Sequence, residues 1–152
     1  MGFEHGGDHF DGRAAFEDVA LGQAVLFDGI DEVAAGDLRA RQKRAGDAAR
    51  HFATAVGLED KLTYMEPPDW PIPVRQLQGA ALLSLGRAAE AESAFRGDLK
   101  KFPNNGWSLS GLRASRIAQG RERDGEVSVL DMQFKQAWGR ADVKLEGGRV
   151  VQ

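Results

Sequence analysis

The sequence predicts an all-α fold of stacked antiparallel helical hairpins. Gly79, Ala91 and Phe95 follow one another at intervals of 12 and 4 residues. Pro103 comes 8 residues after the phenylalanine. Small residues at the first two positions would let two antiparallel helices approach closely, a large ring would fill the space between them, and proline would end the second helix. Apolar residues also recur at helical intervals over most of the chain, which favours helices with one buried face.

Length and composition limit the classes of function. A chain of 152 residues is long enough for one domain with a hydrophobic core. The sequence contains no cysteine, which excludes disulfides, a thiol nucleophile and thiolate zinc sites. A net charge of -3 gives no indication of the basic face that binds nucleic acid. Since neither a signal peptide nor a membrane span is evident, we expect a cytoplasmic protein without nucleic-acid or membrane partners.

The pattern divides the chain into three parts. Residues 1–30 are predicted to be irregular or weakly helical, because the first 12 include four glycines and a modest helix over 13–30 ends near Gly29 and Asp31. Residues 31–146 carry the helical repeats. Residues 147–152 are predicted to be a frayed tail.

Within the repeat domain, residues 31–62 resemble an imperfect helical hairpin. The expected break is at Gly46-Asp47, and Gly46, Ala49 and Phe52 only approximate the pattern of the later hairpin. A stiff connector follows, because four of the seven residues from 67 to 73 are proline. Helices are then predicted over residues 74–85, 88–101, 107–118 and 126–141.

The motif spacing resembles the tetratricopeptide repeat, whose period is about 34 residues. Three runs strengthen the resemblance to bacterial members of this family: Tyr64 to Trp70, Gly79 to Leu83 and Trp107 to Leu112. The resemblance implies an α-solenoid that binds another protein and has no catalysis or cofactor of its own. In a 34-residue frame, Gly86 matches Gly120, Ala91 matches Gly125, and Phe95 matches Val129. Arg113 then stands where a glycine is usual.

The resemblance also implies where a partner would bind. The first helix of each pair lines a concave groove, and this places eight residues in it: Pro73, Gln76, Ala80, Leu83, Trp107, Ser110, Ala114 and Ile117. These side chains lack the lysine and asparagine clamp with which some members hold a chain terminus, so an apolar or helical partner segment is expected. Tyr64, Trp70 and Arg75 are candidates for the rim. The two aromatic residues could instead fasten the connector to the core, and Arg75 could pair with Glu66 or Asp69.

Two rival interpretations remain open from the sequence. His5 and His9 are four residues apart, with Asp8 and Asp11 nearby, so a helix would place both imidazoles on one face, and zinc binds such pairs. That would make the protein a metal-binding or hydrolytic enzyme, although the glycines at positions 6 and 7 oppose a helix. The other rival is a truncated repeat remnant without a partner.

The small number of repeats predicts self-association. About three repeats are needed to bury a continuous core, and the sequence supplies roughly two and a half hairpins. We therefore expect a homo-oligomer formed through the helix at residues 126–141 or through residues 13–30.

Overall fold

The protein is mostly helical over the residues described by the computed structural model, which are 12–62 and 72–151, with side chains from Gln23 onward. Six helices are followed by two short antiparallel strands. They are α1 (Gly12–Arg41), α2 (Ala45–Glu59), α3 (Val74–Ser84), α4 (Ala88–Lys101), α5 (Gly106–Ala118), α6 (Gly125–Trp138), β1 (Lys144–Glu146) and β2 (Arg149–Val151).

The helices pack in chain order. Each helix contacts the next one, and in addition α1 contacts α3 and α3 contacts α5. The chain therefore forms three helical pairs, α1–α2, α3–α4 and α5–α6. The first helix of each pair is also a neighbour of the first helix of the adjoining pair.

The first helix is longer than the sequence indicated. The predicted end near Gly29 and Asp31 is wrong, because α1 continues to Arg41. Gly36 is buried on the face that meets α2, and a Cβ at this position would lie 3.0 Å from the ring of Phe52. Glycine has a low helix propensity, but here it permits a close helix contact, and that tertiary contact outweighs the propensity.

The turn of the first hairpin also lies elsewhere than predicted. Gly46-Asp47 belongs to the first turn of α2, which begins at Ala45. The break is at Gln42–Arg44, where Lys43 has a φ of 60°. A residue in this left-handed conformation commonly ends a helix, although glycine adopts it more easily.

The first two helical pairs share one pattern of a glycine, an alanine and a phenylalanine. The predicted assignment of Gly46 and Ala49 to this pattern is wrong. In both pairs a glycine precedes an alanine by 12 residues, and the alanine precedes a phenylalanine by 4. The equivalent residues are 43 positions apart, and all of them are buried. The first set is Gly36, Ala48 and Phe52, and the second is Gly79, Ala91 and Phe95. Ala49 and Gly46 therefore do not belong to the motif.

The third pair departs from this pattern. The glycine that contacts the phenylalanine from α5 is Gly111, and Arg113 lies half-buried beside it. The expected match of Phe95 with Val129 is wrong, because Val129 is 45% exposed and Val127 is buried. Gly120 does occupy a turn equivalent to that of Gly86, since their φ angles are 74° and 76°.

Two contiguous clusters form the core. One surrounds Phe52, at the junction of the first pair with Val74 and Ala81 of α3. The other surrounds Phe95 and includes Leu109 and Leu130. Both phenylalanine rings are fully buried, so each anchors one junction between successive helical pairs.

The chain ends in a β-hairpin, and the predicted frayed tail at residues 147–152 is wrong for residues 147–151. Strands β1 and β2 are joined by Gly147 and Gly148, whose φ angles are 55° and 76°. Two successive residues with positive φ form the tight turn whose twist suits a two-residue hairpin. Leu145 is buried, and Trp138 Nε1 donates a hydrogen bond to the carbonyl of Val143 at 2.9 Å.

None of the described helices combines the length and the apolar character needed to cross a bilayer.

Candidate functional site

A large open cavity lies between α1, α3, the start of α5 and β2. Its volume is about 1020 Å³, which is at the upper end of the range of ligand pockets. Most of its lining is apolar. The apolar side chains are Ile30, Val33, Ala34, Phe52, Ile72, Pro73, Leu77, Ala80, Phe102, Trp107 and Val150.

The cavity is built from the first helices of the first two pairs. Ile30 and Ala34 are one helical turn apart on α1, and Leu77 and Ala80 occupy the facing side of α3. Ala80 is small, which leaves depth in the middle of the wall. Ile30 is 48% exposed, so the cavity opens to solvent along α1.

A hydrogen-bonded polar group forms part of the cavity wall. The amide nitrogen of Asn105 donates to Gln76 Oε1 at 2.9 Å and to Asp98 Oδ2 at 2.8 Å. Ser108 Oγ donates to the same carboxylate oxygen at 2.6 Å. Asn105 also caps α5, because its side-chain oxygen accepts from the backbone N–H of Trp107. These bonds hold the turn between α4 and α5 against α3.

Asp98 is the buried member of this group. Its other carboxylate oxygen, Oδ1, has no hydrogen-bond partner among the described residues. Burial raises the pKa of Asp98, and the hydrogen bonds from Ser108 and Asn105 oppose that effect only in part. Because Asp98 lies behind Asn105 and does not line the cavity, its role in this arrangement is to position the polar wall.

Charged residues stand at the edge of the cavity. Arg41 Nε and Asp37 Oδ2 form an ion pair at 2.6 Å on α1. Arg149 lines the opposite side on β2, and no carboxylate of the described residues lies within ion-pair distance of it. The rim contributed by these three residues therefore carries a net positive charge.

The structure distributes the eight predicted groove residues over different places. Four of them line the cavity: Pro73, Gln76, Ala80 and Trp107. Leu83 and Ala114 lie beneath the turn of the β-hairpin, next to Gly147. Ser110 is buried, and Ile117 is exposed on the part of α5 away from the cavity.

Trp107 has a packing role in addition to its place on the cavity wall. Its ring meets Trp138 edge to face, with the centroids 5.9 Å apart and the planes at 76°. Trp138 also stacks with Phe134, so these aromatic rings hold the start of α5 against α6.

The predicted rim is described only in part. Tyr64 and Trp70, together with Glu66 and Asp69, lie outside the described residues. Among the described residues, Arg75 pairs with α2 and the residue that follows it: its guanidinium donates to both carboxylate oxygens of Asp60, at 2.9 and 2.6 Å, and lies 3.6 Å from Glu59. Because Arg75 does not line the cavity, its observed contacts are those of a link between α2 and α3.

The candidate metal ligands His5, Asp8, His9 and Asp11 also lie outside the described residues. Over the ranges that are described, no cluster of three or more histidine, aspartate or glutamate side chains is arranged to hold a metal ion. The described histidine, His51, is hydrogen-bonded through Nδ1 to Glu32 at 2.7 Å and joins α2 to α1.

Sequence reasoning missed two walls of the cavity. The α1 wall was missed because the helix was divided at Gly29, although Ile30, Ala34 and Arg41 follow helical spacing and could have revealed it. The wall formed by Gly148, Arg149 and Val150 was missed because these residues were assigned to a tail. The Gly147-Gly148 pair between apolar residues was the available signal for a hairpin.

Comparisons with known proteins supply no relative. No family model, no curated protein and no solved structure matches the chain.

Proposed function

We propose that this protein is a non-catalytic scaffold of tetratricopeptide-like helical pairs that binds an apolar segment of a partner protein. The supporting observation is the cavity between α1 and α3, whose walls are mainly apolar while Gln76 and Asn105 provide a small number of polar groups. Such a lining is typical of a site that takes up hydrophobic side chains and orients them through a few hydrogen bonds.

The repeat architecture supports the same proposal. The motif of Gly36, Ala48 and Phe52 recurs 43 residues later at Gly79, Ala91 and Phe95, and first helices of adjoining pairs lie next to each other. In a solenoid, stacked first helices present one extended surface. Two buried phenylalanine junctions would keep this surface rigid, so binding would restrict mainly the partner.

The rim charge indicates the chemistry of the partner. Arg41 is paired with Asp37, whereas Arg149 faces the cavity edge without a carboxylate of the described residues beside it. We propose a segment, extended or helical, with two or more apolar anchors and an acidic residue near β2. One large buried anchor contributes on the order of 2 kcal/mol or more to such an interface.

Affinity capture with a pair of matched variants tests this function. Ile30→Glu places a charge in the cavity from a side chain that is already half exposed, so the fold is preserved. Leu38→Glu makes the same change on α1 at a side chain that is 50% exposed and does not line the cavity. A specific partner is expected to bind the wild-type chain and Leu38→Glu equally, and to bind Ile30→Glu at least tenfold more weakly. Equal binding to all three proteins would refute the cavity as the binding site.

A further inference from the structure

The C-terminal hairpin (residues 144–151) occupies part of the face that α3 and α5 present. A Cβ at Gly147 would lie 3.1 Å from Leu83 Cδ2 and 4.0 Å from Ala114 Cβ. A Cβ at Gly148 would lie 3.1 Å from the ring of Phe95 and 3.3 Å from the carbonyl oxygen of Trp107. The turn of the hairpin therefore enters the space between the two helices and reaches the core.

The site that receives this turn accepts little besides glycine. Both turn residues have positive φ, which other residues adopt only at a cost. In addition, a side chain at either position would meet Leu83 or Phe95 at distances shorter than ordinary van der Waals contact. Leu145 adds an apolar anchor, since it is buried while its neighbours Lys144 and Glu146 are exposed.

This location bears directly on the proposed groove. Leu83 and Ala114 are two of the positions that the family resemblance assigns to partner binding, and the chain's own hairpin covers both. The cavity that remains open is bordered by β2 on one side and by α1 on the other. The groove thus has an occupied half at α3–α5 and an open half at α1–α3.

We propose that the face between α3 and α5 is a binding site for a β-hairpin with a Gly-Gly turn, and that residues 144–151 are its internal occupant. A partner must displace this hairpin to reach Leu83 and Ala114, so the hairpin limits the groove to its open half. The expected effect of the hairpin on partner binding rests on the proposed function, whereas the hairpin site itself does not.

The experiment uses the full-length chain and a labelled synthetic peptide that reproduces residues 142–152. Leu145→Asp combined with Gly148→Val removes the buried anchor and introduces a branched side chain against Phe95, which should release the internal hairpin. Gly120→Val is the matched control, because its φ of 74° is nearly that of Gly148 and, among the described residues other than its chain neighbours, no atom lies within 4 Å of a Cβ there. Circular dichroism verifies the helices, and amide hydrogen exchange reports release of residues 144–151.

The released variant is expected to bind the peptide at least tenfold more tightly than wild type or Gly120→Val, because its site is vacant. A peptide with Gly148→Val should not bind. Equal or absent binding of the unmodified peptide to all three proteins, or continued protection of residues 144–151 in the double variant, would overturn the proposal.

A full-length chain that can be cleaved before the hairpin tests the same proposal without a destabilising substitution. A protease site inserted between Arg140 and Val143 is cut after folding, which leaves the natural hairpin in place without a covalent link. Retention of the cut hairpin and its slow exchange with the labelled peptide support the proposal, whereas its immediate loss contradicts it. Peptide binding to the released variant, together with equal capture of partners by wild type and Ile30→Glu, would support the hairpin site and refute only the proposed function, so the two failures are distinguishable.

Discussion

The ring of Phe95 on α4 lies directly against the backbone of Gly111 on α5. The same ring meets Gly79 on α3, where a Cβ would be 2.7 Å from it, and Gly148 of the C-terminal hairpin. One aromatic side chain therefore fixes the distances between three successive helices and the β-hairpin. Close packing of this kind tolerates neither extra nor missing volume.

The Phe95–Gly111 contact predicts that Gly111→Ala is destabilising. The added methyl group would overlap the fully buried ring, and overpacking of this kind costs about 1–3 kcal/mol of unfolding free energy. Urea unfolding measures the change. Gly57→Ala on α2 is the control, since no described atom beyond the backbone of its own helix and its chain neighbours lies within 4 Å of a Cβ there, and alanine should add about 0.5–1 kcal/mol. Equal stability changes in the two variants would contradict the proposed contact.

The raised pKa of Asp98 predicts that the stability of the protein depends on pH. Because burial raises its pKa in the folded protein, the folded state binds this proton more tightly than the unfolded state does. The stability that comes from this proton is therefore fully present below the unfolded pKa of about 4. It is lost as the pH rises through the higher pKa of the folded protein. Asp98→Asn should therefore become more stable relative to wild type as the pH rises from 3.5 to 7.

Urea unfolding at several pH values measures this difference. Asp28→Asn, at an exposed position on α1, controls for the loss of one negative charge. A difference between Asp98→Asn and wild type that stays constant over the whole pH range would be inconsistent with a raised pKa for the Asp98 carboxyl.

The lowered pKa of Asp60 predicts the opposite dependence of stability on pH. The hydrogen bonds from Arg75, aided by Lys101, lower the pKa of Asp60 well below its usual range against the effect of burial. The stability that the Asp60 carboxylate contributes is present above the unfolded pKa of about 4. It is lost as the pH falls through the lower pKa of the folded protein. Asp60→Asn should cost up to about 1 kcal/mol at pH 7, because the pair is partly exposed.

The pH series again provides the measurement, together with added salt. The cost of Asp60→Asn should shrink below pH 4, and it should also shrink in high salt because added ions screen this partly exposed pair. A cost that is unaffected by both treatments would show that Asp60 stabilises the protein by packing and not by its charge.

Self-association stays a prediction, and the outer face of α6 is where we expect it. Met132 is 64% exposed and Val129 is 45% exposed, with the uncharged Gln133 and Gln136 beside them. A terminal helix of a repeat stack usually presents a polar face to solvent. Sedimentation at micromolar concentration should show a dimer for wild type and a monomer for Val129→Lys with Met132→Glu. A stable wild-type monomer would refute the prediction.

Local sequence patterns determined the helical class, the turns at Gly86 and Gly120, and the core role of Phe95. These follow from residues close in sequence, because helical spacing and positive-φ glycines act over a few positions. The family resemblance, and not local spacing, suggested a shared groove for eight residues. Pro73, Gln76, Ala80 and Trp107 line the observed cavity, whereas Leu83, Ser110, Ala114 and Ile117 do not.

Tertiary structure determined the length of α1 and the fold of the C-terminal segment, because both depend on contacts between residues that are distant in sequence. Gly29 reads as a helix end in sequence, but it lies within α1 and is buried there. Only folding brings Gly111 and Gly148 to the ring of Phe95, and only then does the C-terminal segment form a β-hairpin whose turn lies against Leu83 and Ala114. The physical reason is that a glycine has the same local propensity whether it breaks a helix or admits a neighbour, and the packing partner determines which of the two occurs.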